Sequence, residues 1–225
     1  MEPEVDSVGI AILKGACNAE SKDVAIDLSQ FGLVELLGET ALKEIPVIKG
    51  VVACFKVPLA IRDQLFLRKV ARFLAAVPDF TATEREDFIA GHLADGEKAA
   101  KLGETLVLVL DRLDDMEKPH MVAHVFAAFV RGKITFDVFR RLATAIDLGA
   151  LDDLKEFVKM RPAASPQQRG VNVNTQILGT NLARTGLVSL PAFGGNTPIL
   201  GVSFRENELG KMFREIINEA QPSSA

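Results

Sequence analysis

The feature that most constrains this chain is the regular punctuation between residues 59 and 161, where helix starts and helix stops alternate. From Leu59 to Ala76 the apolar residues Ile61, Leu65, Phe66, Phe73 and Leu74 mix with basic side chains, and Pro78 closes the segment. Thr81-Ala-Thr-Glu84 and Thr83-Glu-Arg-Glu86 both fit a capping box, in which a threonine oxygen accepts from the third backbone N–H while the glutamate reaches back. They predict a helix over 83–94, followed by a turn at Asp95-Gly96. The next segment contains the all-apolar run LVLVL at 106–110, which predicts the buried central helix of a bundle. Asp114-Asp115 and Pro119 open a further helix that stops at Gly132. Thr135 caps another, reaching about Gly149, and Asp152-Asp153 starts one more that ends near Arg161. Acids at these starts complement the helix dipole. Helices with short connections pack as a compact bundle.

Ahead of this region, 7–17 and 23–43 read as short apolar helices within an acidic segment, 1–44. The run IPVIKGVVACFKVPLAI at 45–61 approaches the length of a membrane span, but Pro46, Lys49, Gly50, Lys56 and Pro58 interrupt it. It reads as a buried or interfacial segment leading into the bundle, so the bundle region is taken as 45–160. Charge is uneven along the chain. Residues 1–44 hold three lysines against nine acids, whereas 45–75 hold Lys49, Lys56, Arg62, Arg68, Lys69 and Arg72 against Asp63 alone. A rim of cations around apolar groups suits an anionic membrane or an acidic partner, and these six residues are the candidate contacts.

RPAASPQQRG at 161–170 reads as a linker. Beyond it, 171–221 changes character: VNTQILGTNLARTG predicts a helix stopped by Gly186, LVSLPAF and ILGVSF predict two strands around the turn GGNTP, and NELGKMFREIINEA predicts a closing helix. That closing helix is expected to carry Leu209, Met212, Phe213, Ile216 and Ile217 on one face, with 222–225 as a tail. The expected fold is mainly α, a helical bundle followed by a small C-terminal α+β module.

NLARTGLVSL, then GGNTP, then ILGVSFRENELGKMFREII resembles the latter part of a winged-helix module, as found at the ends of bacterial regulators and of some phage-exclusion proteins. The resemblance implies a winged-helix-like module whose recognition position is occupied by the helix at 174–185. Its polar side chains would be Asn174, Thr175, Gln176, Thr180 and Arg184, with Gly194 to Pro198 as the wing. The chain departs from that pattern twice. The linker supplies no second helix, and the wing holds no Lys or Arg, although cations normally supply the phosphate contacts that dominate DNA affinity. The chain as a whole resembles uncharacterised bacterial proteins of the abortive-infection type, which implies an antiviral, phage-defence setting and no reaction.

Motifs of chemistry are missing. GxSxG, GxxxxGK[ST] and GxGxxG do not occur. The carboxylate pairs Asp114/Asp115, Asp152/Asp153 and Glu86/Asp87 lie at expected helix starts, where capping explains them. His120 and His124 share a helix face with Glu117, with His92 or Asp115 as further donors, but HMVAH is not a zinc motif and the pair reads as two partly exposed histidines. Cys17 and Cys54 form no CxxC, which fits reduced core thiols. The opening Met-Glu-Pro-Glu lacks the flanks of a signal peptide. The expectation is a cytoplasmic, non-enzymatic interaction or regulatory protein without metal or cofactor. Its partner would be a protein or a second copy, and any DNA binding would be weak. The alternative is a membrane-acting effector that uses 45–76 at the inner membrane face.

Overall fold

A computed structural model describes residues 2–17, 61–160, 173–189 and 204–220. The described residues form nine α-helices, one π turn and one two-stranded sheet. They are α1 (Glu2–Ala16), α2 (Ile61–Ala76), α3 (Ala82–Phe88) running into the π turn Ile89–Leu93, α4 (Gly96–Arg112), α5 (Lys118–Val130), α6 (Phe136–Leu148), α7 (Leu151–Lys159), α8 (Val173–Thr185), β1 (Val188–Ser189), β2 (Arg205–Glu206) and α9 (Glu208–Ala220). The chain divides into two compact units, 1–134 and 135–225. The second unit therefore begins ahead of the expected linker, which lies outside the described residues along with 18–60. Helices α6 and α7, read from sequence as the end of the bundle, pack with α8 and α9 instead.

In the first unit one of the two capping boxes is used, and Asp114-Asp115, expected to open a helix, instead precede α5, whose cap position Glu117 makes no side-chain capping bond. Thr81 is the cap: its Oγ1 accepts from the Glu84 N–H and the Glu84 carboxylate accepts from the Thr81 N–H. Thr83 lies inside the helix. Asp95 caps α4 by accepting from the Glu97 and Lys98 N–H groups. The central helix is α5 and not the LVLVL segment. In α4, Leu106, Val109 and Leu110 are buried, but Leu108 is 48% exposed, so the helix is two-faced. Helix α5 buries every residue except His120 and His124. Its small and aromatic residues, VFAAFV, let it be surrounded, whereas acids and lysines hold one side of α4 in water.

The core of this unit is a ring cluster. Phe73 of α2 meets Phe126 edge-on at 5.5 Å, and Phe88 of α3 meets Phe126 and Phe129 at 5.9 and 5.8 Å. Arg131, just past α5, pairs with Glu84 at 3.2 Å, donates to the Asp79 carbonyl and covers the Phe80 ring. Helix α1 lies on α4 with Ile12 and Leu13 fully buried. The two backbones meet at Gly9 and Gly103, where a Cβ on Gly9 would fall 2.4 Å from the Gly103 carbonyl carbon. No other residue permits that approach.

In the second unit α8 packs on α6 and α7, and β1 pairs antiparallel with β2, Val188 opposite Glu206 and Ser189 opposite Arg205. The pairing on the second strand falls just past ILGVSF; residues 190–203, including the expected wing, lie outside the described residues. Leu142, Ile146, Leu154, Phe157, Leu182, Leu187 and Phe213 form the core, with Phe157 stacked on Phe213. Helix α8 ends at Gly186, whose φ of +78° suits glycine at a helix end. Asn207 then donates to the Gly186 carbonyl at 2.8 Å and caps α9 by accepting from the Gly210 N–H at 2.9 Å. On α9 the buried face is Gly210, Phe213, Ile216 and Ile217; Met212, expected inside, is exposed.

Candidate interaction surfaces

Most of the basic candidates on α2 are engaged at the end of α4. Lys69 donates from Nζ to the Asp111 carbonyl at 2.7 Å, and Arg72 donates from Nη1 to the Met116 carbonyl at 2.9 Å. Asp111 lies in the last turn of α4, where carbonyls have no intrahelical partner and the dipole is negative. Arg62, 80% exposed, pairs with the Asp111 carboxylate at 2.6 Å. Arg68 is exposed. Lys49 and Lys56 lie outside the described residues. Sequence reasoning treated the cations as one rim; the fold separates an outward pair, Arg62 and Arg68, from Lys69 and Arg72, which bind the chain's own backbone.

One charged residue that sequence reasoning missed is Lys118. Its side chain is 1% exposed, and its Nζ sits 2.5 Å from an oxygen of Asp114, one turn earlier. That hydrogen bond holds the Asp114 carboxyl below its ordinary range. The DD…K spacing was the available signal, and capping was the reading it received.

The three histidines do not converge. His92 contacts the rings of Phe88 and Phe129 at tilted angles, with centroids 5.3 and 4.8 Å away. His120 and His124 stand one turn apart on α5, His120 exposed and His124 half-buried. Among the described residues no three His, Cys, Asp or Glu side chains come together as a metal would require. Desolvation lowers the pKa of all three histidines; Lys98 adds to this at His92, Arg72 at His120 and His120 at His124.

In the second unit α8 has two distinct sides. Leu178, Gly179, Leu182 and Thr185 are buried, and Asn181 donates to the Asp153 carboxylate of α7 at 2.8 Å. Ile177, Thr180 and Arg184 are exposed, Ile177 to 54%. Their spacing places them along one side of the helix. Asn174, Thr175 and Gln176 begin α8, and their side chains lie outside the described part. In the same unit Arg214 of α9 pairs with Glu206 of β2 and donates to the Met160 carbonyl at the end of α7 at 2.9 Å. One side chain thus joins a helix end, a strand and the closing helix.

No protein-family model, curated protein or solved structure matches this chain. No helix among the described residues is long and apolar enough to cross a membrane.

Proposed function

We propose that this is a non-enzymatic interaction or regulatory protein that docks a partner protein through the outer side of α8. The observation that carries this reading is the exposure of Ile177 on a helix whose opposite side is held by Leu178, Leu182 and the Asn181–Asp153 hydrogen bond. A large aliphatic side chain beside Thr180 and Arg184 suits a partly apolar partner surface. The order of three helices and then an antiparallel strand pair supports a winged-helix-like reading, in which α7 would stand as the second helix that the linker lacks. On that reading α8 stands at the recognition position. A single described exposed cation on this side, Arg184, makes DNA contact weak and salt-sensitive. The abortive-infection resemblance makes phage challenge the setting for a test. The variant Ile177→Asp/Arg184→Glu, with helicity retained by circular dichroism, is expected to lose both its co-purifying partner and protection of the host. Full retention of both refutes the proposal.

A membrane-acting reading has one observation of its own: Leu65 is exposed on α2, between Arg62 and Arg68. An apolar group flanked by cations suits an anionic interface. Flotation with anionic but not neutral vesicles, lost in Leu65→Asp, supports it; no flotation with either refutes it.

A further inference from the structure

Between Glu86 and Lys98 the first unit turns a corner in which Phe88 is the one buried residue. The π turn Ile89–Leu93 makes this corner. Its closing hydrogen bond runs from the Ala94 N–H back five residues to the Ile89 carbonyl at 2.8 Å, one residue wider than an α-helical turn. The extra residue keeps Phe88 and His92 against the Phe129 ring and leaves Ile89, Ala90 and Gly91 facing out, with Ile89 46% exposed. A Cβ on Gly91 would meet nothing within 4 Å, so the tip stands open. Turns of this kind recur at functional sites. Acids flank the apolar tip: Glu86 and Asp87 come before it, and Asp95 and Glu97 after it.

The same unit carries the opposite pattern on α2. Leu65, 41% exposed, stands three residues after Arg62 and three before Arg68, both exposed, so the three share the outer side of the helix. Arg62 stays open to solvent while it pairs with Asp111. Among the described residues no ion pair or hydrogen bond engages the side chains of Arg68, Glu86 or Asp87. An apolar residue between cations and an apolar residue beside acids complement each other in both hydropathy and charge. Leu65 and Ile89 are exposed together in one chain, so the two surfaces do not cover each other within it. From this complementarity we propose that the π-turn corner of one copy docks on the outer side of α2 in a second copy.

The contact joins two different patches, so it is heterologous, and further copies can add head to tail. Ile89 meets Leu65 at its centre, with Glu86 and Asp87 facing Arg62 and Arg68 around them. A helix corner on two turns of a helix buries less than the roughly 1,200 Å² at which stable specific interfaces begin. The association is therefore weak, and added salt weakens it further.

Sedimentation of the full chain in lipid-free buffer, from micromolar to millimolar concentration, tests this. The weight-average mass of wild type is expected to rise with concentration, and to rise less at high salt. Asp87→Arg sets cation against cation and Arg68→Glu sets acid against acid, so each variant alone is expected to associate about tenfold more weakly, with helicity retained by circular dichroism. An equimolar mixture of the two is expected to recover the association. In it the reversed corner of one variant meets the reversed α2 of the other, and the unaltered surfaces of both still match. Ile89→Ser changes no charge, guards against a folding defect in either charge variant, and is also expected to weaken the association. A wild-type mass that does not change with concentration overturns the proposal. So does undiminished association in Ile89→Ser or in both charge variants, or a mixture that associates no better than its two components alone.

Discussion

Replacing Arg214 with Met removes a side chain that joins α7, β2 and α9. Arg214 and Glu206 are only 12% and 14% exposed, so solvent screens the pair little. One Glu206 oxygen, Oε1, is already buried without a partner, and the substitution strips the other of its guanidinium. It also removes the Arg214 hydrogen bond to the Met160 carbonyl. Breaking a buried pair from one side costs about 3–5 kcal/mol, and the residual exposure places this case near the lower end, at about 3 kcal/mol. The cost comes mainly from the stranded carboxylate, so Glu206→Gln/Arg214→Met is expected to recover more than half of it. Urea denaturation of the full chain, Arg214→Met, Glu206→Gln and the double variant, followed by circular dichroism, closes the cycle. A loss below about 0.5 kcal/mol for Arg214→Met refutes the reasoning. So does a double variant no more stable than the single.

Other consequences are open to direct measurement. Gly103→Ala is expected to destabilise by about 1–3 kcal/mol, because its Cβ would stand 2.8 Å from the Gly9 backbone; Gly91→Ala, with nothing within 4 Å, is expected to be neutral or stabilising, and urea midpoints decide the signs. Thr81→Ala removes the capping box and is expected to cost about 1 kcal/mol in the same assay. Burial pushes the Cys17 thiol up to about 11, so in a Cys54→Ser background iodoacetamide at pH 8 is expected to label Cys17 only after unfolding.

The helix ends were legible because their signals are local. Thr81, Asp95, Thr135 and Gly186 each act within three residues of themselves, and each stands at a helix boundary. Which helix lies innermost was not legible. LVLVL is the more hydrophobic string, but enclosure depends on the whole circumference, and α5 gains it from Ala127, Ala128 and Ala123, residues that carry a weak apolar signal. The unit boundary was obscured in the same way: α6 and α7 look like more of the bundle, and only tertiary packing assigns them to α8 and α9. Among the candidate residues, the charge of the α2 cations was visible, but their acceptors were not. The Asp111 and Met116 carbonyls lie more than forty residues from Lys69 and Arg72, and no sequence pattern links them. The exposed side of α8 was partly legible, since Thr180 and Arg184 were named from the sequence while Ile177, an apolar residue, was not singled out.

The central claim is that the outer side of α8 docks a partner protein. A photoreactive phenylalanine analogue at position 177, with the similarly exposed position 108 of α4 as reference, tests it inside the host cell. The account predicts a discrete protein adduct from 177 that is absent from 108 and is lost when Arg184→Glu is added. The same adducts from both positions, or an adduct from 177 that Arg184→Glu leaves intact, would contradict it.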